Sequence, residues 1–600
     1  MINFIACIDF KGLKGKNIYF ESKYHDQTKQ GFTQSYNNDY VLFRHNGSDE
    51  NLDLFTKKDG KFLVFTKIFE EDKITLIKKL GINENVNIKD SELMLELYFK
   101  FGAAGMKCLS NGFIFILIDL IKENVMAFRD HIGIKNICYL HSGNSIYLSS
   151  SFRNLFNVNN KNFSLNLDKM DNFLNFKDSS NTNTFINEIN KVPPSHFIEY
   201  HQDQIKVIQY SEYRLEDNLA TANDQINGLK HLLKKSVYID KSCKYSKIGF
   251  TMSGGIDSST VISFFREFKD SAHKIFSFSA QYKHLDKKIL NLIDESEYQN
   301  EINKSTDIYD TSFDGQDEST LSKLDFYLEV IGQPFFFPNL YLPNKAFSLA
   351  SEKDVYLMMN GNDGDTVVSH GYEYFQELFY NLRWIKLLKE IDVTSRLRKQ
   401  SRRFIFKRII LNSFSLSNFF NFSAKKKHLD VICSSNHTKA IEIQGLLASY
   451  YGIEERYPFY NRELIEYCLN VTPDLKNKHG QARYILKEAI KGIVPEKIRK
   501  RVTKANLGHA LCLSFVVKDN ELINAQLSKP NPAIRELIDL EDLRSSWENM
   551  KVDPRKYATN SLVPSRIFAY VVLNRWLDSL PLKLKKLENK TQNVYLHPYE

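Results

Sequence analysis

Cysteine is scarce in this chain, since only seven of its 600 residues are cysteine. The cysteines are odd in number, scattered between Cys7 and Cys512, and never spaced as C-x-x-C. We therefore expect neither a disulfide framework nor a structural zinc site, and the pattern is typical of a protein of the reducing cytoplasm. The N-terminus also lacks a basic segment followed by an apolar one, so no signal peptide is expected.

Long hydrophobic runs are absent as well. The most apolar stretch, Phe113–Ile121, is about nine residues long and contains Asp119, whereas a membrane span needs roughly twenty apolar residues. We interpret it as a buried strand, and predict neither a membrane nor a nucleic-acid partner. The chain length favours two or three domains, because a single core rarely grows past about 250–300 residues.

The net charge of +9 is small for this length but unevenly placed. Residues 383–427 contain thirteen Lys or Arg and only two acidic residues, with phenylalanines interleaved. One interpretation is a docking surface for an acidic or peptide partner. The other is a helical insertion, at about 380–430, whose charges are solvated and whose aromatic side chains face the core. Solvated helix surfaces are the commoner case, which favours the second.

The segment from Phe250 to Ser259, FTMSGGIDSS, carries the strongest signal. It predicts a buried strand, Lys247 to Met252, that meets two glycines and then a helix. Free backbone N–H groups and the helix dipole at such a junction favour a phosphate. Asp257 would repel phosphate unless a cation bridged the two, which indicates Mg²⁺. The P-loop and dinucleotide-binding patterns both require other spacings.

A second polar segment, Asn360-Gly361-Asn362-Asp363-Gly364-Asp365-Thr366, follows the predicted strand Val355 to Met359. Ligands in open α/β sheets gather beyond the carboxyl ends of the strands, so this segment is expected to face the first one. Asp365 is then a candidate metal ligand opposite Asp257, with the two carboxylates clamping a pyrophosphate through Mg²⁺. The alternative is an ordinary turn of Asn, Gly and Asp.

The rhythm of the sequence changes near residue 212. Before it, short apolar segments such as Phe62–Phe65 and Ser145–Leu148 alternate with polar turns, which is typical of strands. After it, helical and strand patterns alternate, which predicts a parallel sheet covered on both faces. Beyond about 435 we expect long amphipathic helices. Basic residues in 481–487 and 495–504 could hold pyrophosphate, although helix-surface lysines are usually only solvated.

The Ser-Gly-Gly-x-Asp-Ser pattern of Ser253–Ser258 resembles the pyrophosphate loop of the N-type ATP pyrophosphatases. With Gly361–Asp365, Arg456-Tyr457-Pro458-Phe459 and Arg501-x-x-Lys504, the chain resembles the asparagine synthetase B superfamily. That resemblance implies an α+β N-terminal Ntn-hydrolase-like sandwich domain (1–212), then an α/β parallel-sheet ATP pyrophosphatase domain with a helical C-terminal part (213–600).

The resemblance also implies roles for particular residues, with ATP and Mg²⁺ as cofactors. Asp257 and Asp365 would hold Mg²⁺ and take part in catalysis, and Lys504 would stabilise charge at the acyl-adenylate. The implied nucleotide-binding residues are Thr251, Ser253, Gly254, Gly255, Asp257, Ser258, Ser259, Ala280, Asn360 and Gly361.

In the N-terminal half, the segments 90–92, 111–113, 129–133 and 192–197 resemble the scaffold of a class II glutamine amidotransferase. That family hydrolyses glutamine with a cysteine at position 2, where this chain has Ile2. An isobutyl side chain cannot attack an amide, and Cys7 lies inside a predicted strand. The glutamine-binding Asn-Gly-Glu segment is unrecognisable near Lys58 to Thr66. We therefore expect no glutaminase activity.

The acceptor residues of the synthetase half differ from the family as well. Asn362 replaces the glutamate that handles ammonia, and an amide cannot act as a base at neutral pH. The combination resembles β-lactam synthetases and lasso peptide cyclases, which implies a small-molecule or peptide carboxylate substrate and, for a peptide, a precursor peptide and a leader-peptidase partner. An ammonia-dependent asparagine synthase-like enzyme and a non-catalytic scaffold remain alternatives. Proximity in sequence alone leaves four candidates for the acid–base residue, which are Asp363, Glu454, Glu455 and His370.

Overall fold

The computed structural model describes residues 3–13, 34–45, 52–57, 60–83, 86–158, 163–217, 220–239, 243, 245–269, 272–282, 287–304, 307–501, 505–559, 561–580 and 595–596. Its N-terminal part contains two six-stranded antiparallel sheets, ordered β11-β8-β9-β1-β3-β2 and β13-β12-β7-β6-β5-β4. The strands are β1 (Phe4–Ile8), β2 (Gln34–Asn37), β3 (Val41–His45), β4 (Leu52–Lys57), β5 (Gly60–Lys67), β6 (Ile114–Asp119), β7 (Asn124–Arg129), β8 (Cys138–Ser142), β9 (Ser145–Ser149), β10 (Phe163–Ser164), β11 (Ile189–Lys191), β12 (His196–His201) and β13 (Gln204–Gln209). The helices of this part are α1 (Glu70–Leu80), α2 (Asp90–Phe101), α3 (Phe152–Phe156) and α4 (Leu167–Leu174).

The two sheets pack face to face, and each is covered on its other side as well. Strand β1 illustrates this covering on both sides, because all five of its residues are buried. Phe4, Ala6 and Ile8 enter the core between the sheets, while Ile5 and Cys7 enter a second core that extends to α3 and α4. Alternate residues of a strand point to opposite faces, so an apolar run without alternation marks a sheet covered on both sides. Helices α1 and α2 cover the other sheet, which gives the layered sandwich of the Ntn hydrolases.

The C-terminal part is built on a five-stranded parallel sheet with strand order β16-β15-β14-β17-β18. Its strands are β14 (Lys247–Thr251), β15 (Lys274–Gln281), β16 (Ile308–Asp314), β17 (Leu357–Met359) and β18 (Glu454–Arg456). Two short pairs follow, β19 (Asn477–Lys478) with β20 (Gln481–Ala482), and β21 (Tyr595–Leu596) with β10. Because β14 and β17 are neighbours, the two polar segments that follow them lie at the same edge of the sheet.

Helices surround this sheet and form the rest of the C-terminal part. They are α5 (Ala222–Ser236), α6 (Ile256–Phe268), α7 (Lys287–Ile293), α8 (Ser296–Asn303), α9 (Leu324–Ile331), α10 (Tyr341–Glu352), α11 (Gly364–Val368), α12 (Tyr372–Tyr380), α13 (Trp384–Arg398), α14 (Arg402–Ile409), α15 (Ala424–Ile432), α16 (Ser435–Tyr450), α17 (Arg462–Asn470), α18 (Pro473–Lys476), α19 (Tyr484–Ala489), α20 (Glu496–Arg499), α21 (Gly508–Val517), α22 (Asn520–Ser528), α23 (Leu540–Val552), α24 (Pro554–Tyr557) and α25 (Val563–Ser579). None of the described helices has the length and hydrophobicity that a bilayer crossing would need.

The observed fold class matches the sequence prediction, and the differences are local. The strand expected at Val355 to Met359 begins only at Leu357, because Val355 still belongs to the turn after α10. The expectation of long helices beyond 435 is wrong for most of that region, where several helices have only four to ten residues and α16 and α25 are the long ones. The boundary at residue 212 stays a prediction; it falls between β13 and α5.

Candidate functional site

The first loop, defined here as residues 251–259, joins β14 to α6. Gly254 has φ +78°, and a Cβ at that position would lie 3.0 Å from the carbonyl oxygen of Glu295. Glycine is therefore required both by the backbone and by the space. Gly255 is the N-cap of α6 and offers no side chain to the first turn, so the backbone N–H groups there are left for another partner.

Hydroxyl groups hold the first loop in shape. The Oγ atoms of Ser253 and Ser258 lie 3.1 Å apart, and the backbone N–H of Gly255 donates to Ser253 Oγ over 3.2 Å. Ser259 is fully buried, and its Oγ has no hydrogen-bond partner among the described residues. Of the hydroxyls predicted to serve as phosphate donors, those of Ser253 and Ser258 therefore also hold the loop in shape.

The second loop, residues 360–366, packs directly against the first. A Cβ on Gly361 would come within 3.0 Å of the backbone of Ser258, and one on Gly364 within 3.0 Å of the Asp257 carboxylate. Real Cβ atoms do not approach so closely, so both positions need glycine. An ordinary turn does not explain this segment, because its two glycines are required by the close contact with the first loop.

An open cavity of about 570 Å³ lies where the two loops meet. It collects most of the predicted nucleotide and metal residues, namely Thr251, Ser253, Gly255, Asp257, Ser258, Ala280, Gly361 and Asp365. Gly254, Ser259 and Asn360 are not on its wall; Asn360 is 2% exposed and donates to Glu455 Oε1 over 2.5 Å. Lys504 lies outside the described residues.

Asp257 pairs with an arginine in this structure. Both of its carboxylate oxygens accept from the guanidinium of Arg483, with 2.8 Å between Nη1 and Oδ2. Arg483 is buried and has φ 59°, a left-handed conformation that is uncommon for a residue with a side chain. The sequence placed Arg483 in a basic segment but gave no sign of this partner.

The donor set fits a magnesium ion that is shared with a nucleotide. In the described part of the chain, no three His, Cys, Asp or Glu side chains are grouped closely enough to hold a metal by themselves. Mg²⁺ is commonly bound through one or two carboxylates plus substrate phosphates. Asp257 and Asp365 both face the cavity beside the first loop, so the oxygen chemistry is suitable.

A second arginine lies behind the first loop. Arg501 forms an ion pair with Glu295, with 2.6 Å between Nη2 and Oε1, and its guanidinium stacks 4.0 Å from the Tyr298 ring. Its Nη1 lies 3.4 Å from the carbonyl oxygen of Gly254. Glu295 also lines the cavity, although nothing in its sequence context distinguished it from a solvated surface acid.

Asp363 is the acid–base candidate that the structure places on the cavity wall. Its Oδ1 lies 3.2 Å from His437 Nδ1, and its Oδ2 accepts from the hydroxyl of Tyr460. The hydrogen bond to Asp363 raises the pKa of His437 above its usual value. Sequence analysis missed His437, because it lies at the start of α16 in a segment without a recognisable motif.

The other candidates differ from Asp363 in burial and charge. Burial raises the pKa of Glu455 to about 7, against hydrogen bonds from Tyr457, Gln444 and Asn360. Although burial opposes it, the charges of Lys67, Arg456 and Lys135 lower the pKa of Glu454 to about 2. Neither glutamate is on the cavity wall. His370 lies 3.9 Å from Asp365 Oδ2.

The basic insertion, residues 380–430, contains α13, α14 and α15. The expectation that its aromatic side chains face the core is correct only in part. Phe406, Phe419 and Phe422 contact the rings of α12, but Phe404, Phe414 and Phe420 are 49%, 46% and 72% exposed. The insertion adjoins the second loop, because His428 Nε2 lies 2.8 Å from the carbonyl oxygen of Thr366.

Comparisons with known proteins agree with this architecture. The asparagine synthase family model matches residues 228–578, more than half of the chain, and a glutamine amidotransferase domain model matches residues 76–211. A Methanocaldococcus jannaschii protein described as a glutamine-hydrolysing asparagine synthetase is 26% identical over 48% of this chain and 56% of its own length. Asparagine synthetase 1 of Bacillus subtilis is 20% identical, over 69% of this chain and 70% of its own.

Two solved structures are also similar in part. One is the glutamine phosphoribosylpyrophosphate amidotransferase of B. subtilis, with a TM-score of 0.24, 9% identity and coverage of 45% of this chain and 76% of that chain. The other is the NH3-dependent NAD synthetase of Campylobacter jejuni, with a TM-score of 0.16, 15% identity and coverage of 25% and 60%. The fold assignment rests instead on the strand orders and the two family models. On the match over residues 228–578, the chain belongs to the asparagine synthase family.

Proposed function

We propose that this protein is an ATP-dependent carbon–nitrogen ligase, which activates a carboxylate as its adenylate and then transfers the acyl group to an amine. The observation that carries the proposal is the contact between the two loops. It brings the start of α6 and the two aspartates Asp257 and Asp365 to one cavity of about 570 Å³, and Arg483 pairs with Asp257. Family membership and the asparagine synthetases among its relatives support the same class of reaction.

The residues around the cavity have distinct tasks in such a reaction. The backbone of the first loop binds the phosphates of ATP, and Thr251 and Ala280 lie at the ends of strands where the nucleoside would be held. A substrate carboxylate oxygen attacks the α-phosphorus, and pyrophosphate leaves. Asp257 and Asp365 would hold Mg²⁺, which neutralises phosphate charge when bound. Arg483 and Arg501, which pair with Asp257 and Glu295 beside the first loop, would contact the phosphates once a nucleotide is bound.

In the second step the amine attacks the acyl carbon, AMP leaves, and the ammonium proton must be removed. Asp363 is the best placed acceptor, since its carboxylate is on the cavity wall and His437 and Tyr460 both contact it. Asn362 occupies the place of the family glutamate, and its Nδ2 donates to Gln444 Oε1 over 2.9 Å. The amide therefore orders the loop rather than accepting a proton.

The substrate class we propose is a peptide, with ring closure between a side-chain carboxylate and the peptide's own α-amine, as in lasso peptide macrolactams. Bringing both ends of one substrate together supplies the amine at an effective molarity of about 10⁵ M or more. The basic insertion next to the second loop offers a surface for such a peptide, since it carries Trp384, Ile385 and Leu416 at 52%, 76% and 76% exposure among thirteen basic residues. A precursor peptide and a leader peptidase are the partners that this proposal requires.

The test is ATP–pyrophosphate exchange with radiolabelled pyrophosphate and Mg²⁺, measured with aspartate, glutamate and candidate precursor peptides. We expect exchange with a peptide only, and its loss in Asp257→Asn. The matched control is Asp553→Asn, which changes an exposed acid far from the two loops in sequence. An absence of exchange with every carboxylate would contradict the ligase proposal and favour a non-catalytic scaffold.

An asparagine synthase-like reaction with free ammonia is the second candidate, because the relatives named above are asparagine synthetases. It predicts exchange with free aspartate, and formation of asparagine from aspartate, ATP and ammonium chloride. Asparagine formed at an ordinary enzymatic rate would reject the peptide substrate while leaving the adenylation chemistry intact.

A further inference from the structure

A second cavity, of about 310 Å³, lies between the N-terminal and C-terminal parts of the protein. One wall comes from α4 and the residues after it, and the other from residues 331–336 and from α16. No step of the proposed reaction uses it. A volume of this size is at the lower end of the range in which small-molecule sites occur.

Two groups of buried charges meet at this cavity. In the first, Asp178 Oδ2 lies 2.7 Å from Lys169 Nζ and 2.7 Å from Lys439 Nζ. In the second, Glu442 Oε1 lies 2.6 Å from Arg129 Nη2, and its other oxygen pairs with Lys191. Each carboxylate is thus shared by two cations.

The cluster therefore contains four positive charges and two negative ones in a poorly solvated place. The side-chain exposure is 6% for Lys169, 10% for Lys191 and 25% for Lys439. Burying unbalanced charge is costly unless a counter-ion compensates it. Burial, and then the charge of Lys439, lower the pKa of Lys169 to about 8, which agrees with a shortage of negative charge around it.

The rest of the cavity is aromatic. Phe173, Phe185 and Phe335 are 8%, 3% and 2% exposed and line its interior. Phe176 and Phe336 stand at its mouth, 41% and 39% exposed, with their rings edge to face at 5.3 Å. An occupant with a flat apolar body and one anionic group would satisfy both halves at once.

We propose that this cavity is a binding site for an organic carboxylate with an aromatic body, whose carboxylate lies among Lys169, Lys191 and Lys439 and whose ring lies among the phenylalanines. Both a free aromatic acid and the carboxyl end of a peptide have this chemistry. The site shares α16 with the cavity at the two loops, because Ile441 and Gln444 line that cavity while Glu442 and Ile443 line this one.

The experiment is calorimetric titration of the full chain, without nucleotide, with 3-phenylpropionate and with N-acetyl-glycyl-phenylalanine. The first probe represents a free acid and the second a peptide end. 3-Phenylpropan-1-ol and acetate are the matched controls, since one lacks the charge and the other the ring. We expect saturable binding of at least one aromatic carboxylate, at least ten-fold tighter than either control. Measuring without ATP separates a failure here from a failure of the proposed reaction.

Two variants locate the site. Lys439→Met and Phe336→Ser should each weaken the bound carboxylate at least ten-fold, whereas Lys177→Met, which changes an exposed lysine near α4 outside the cavity wall, should not. Phe336 is partly exposed, so its variant remains informative if Lys439→Met fails to fold. No saturable binding of either carboxylate, binding equal to that of the alcohol, or binding unchanged in Phe336→Ser would overturn the proposal.

Discussion

The N-terminal and C-terminal parts of this protein differ in what the polar residues of their motifs contact. In the C-terminal part, Ser253, Asp257, Ser258, Asp363 and Asp365 all line one cavity. In the N-terminal part, the polar residues of the motifs instead form hydrogen bonds within the fold. Asp130, for example, accepts four backbone N–H groups, from residues 132 to 135. Cys7 is fully buried in β1, in agreement with its exclusion as a nucleophile.

The N-terminal motifs also support the neighbouring part of the molecule. Arg129 pairs with Glu442 of α16, and His131 Nε2 lies 2.9 Å from the carbonyl oxygen of Tyr460. Ser110 accepts the N–H of Arg462 through its carbonyl oxygen over 2.8 Å. The difference teaches that the motifs of one part of a protein can position the elements on which a site in another part depends.

The largest effect is expected from Gly364→Ala. Its Cβ would collide with the Asp257 carboxylate, so the two loops must separate, and a displacement of this kind costs on the order of 100-fold in rate. ATP–pyrophosphate exchange is the measurement. Gly81→Ala is the control, since Gly81 ends α1 with φ +73° and nothing within 4 Å of its Cβ. That variant should lose stability but keep its exchange activity; equal losses in both would contradict a special role for the loop contact.

The next largest effect concerns proton removal, and it should distinguish adenylation of the carboxylate from the later formation of the amide. We expect His437→Gln to preserve exchange but to slow amide formation by roughly ten-fold or more, because His437 contacts Asp363, the proposed proton acceptor, and a proton acceptor contributes only to the capture step. In the wild type, amide formation should fall with decreasing pH around a pKa above the ordinary histidine value, since Asp363 raises that of His437. A variant that loses both steps together would point to a structural role instead.

The contact between the two parts should depend on pH through His131. Burial lowers its pKa to about 4, so the folded state disfavours the proton that the unfolded chain binds below about pH 6.5. Stability is then present above that pH and is lost as the pH falls toward 4, by on the order of 2–3 kcal/mol. Denaturant unfolding at several pH values measures this loss. His131→Asn, which cannot titrate, should show a flatter dependence.

Titration of Glu455, in the C-terminal part, should change the stability of the protein with pH in the direction opposite to that of His131. Its pKa is raised to about 7, so the folded state favours the protonated form, and stability is lost as the pH rises from about 4.5 to 7. Glu455→Gln should therefore be more stable than the wild type above pH 7, by on the order of 1–3 kcal/mol. Thermal unfolding at pH 5 and pH 8 tests it, since a gain of the same size at both values would exclude titration as the cause.

The smallest effect is expected from a glutamine analogue. An electrophilic glutamine analogue would alkylate a nucleophilic cysteine at position 2, whereas Ile2 offers it no thiol. We expect unchanged protein mass and unchanged exchange activity after treatment. A single adduct that abolishes activity would show that the N-terminal part still binds glutamine, and would remove the contrast drawn above.

The sequence predicted those parts of the site that are local in the chain. The first loop is nine consecutive residues of one strand–turn–helix unit, so its composition alone indicated a phosphate site at α6. The pairing of Arg483 with Asp257 joins residues 226 positions apart, and the pairing of His437 with Asp363 likewise depends on packing between α16 and the second loop. Side chains such as these carry no local signal, because their partners are chosen by tertiary structure.

The pairing of Arg483 with Asp257 has a consequence for the order in which ligands assemble. The arginine already neutralises the carboxylate that a cation would seek, so a divalent ion alone meets a site with little net attraction. A nucleotide brings negative charge that can draw the guanidinium away from Asp257. Metal and nucleotide should therefore bind with positive cooperativity, and an empty protein should take up little magnesium even at concentrations that saturate it once ATP is present.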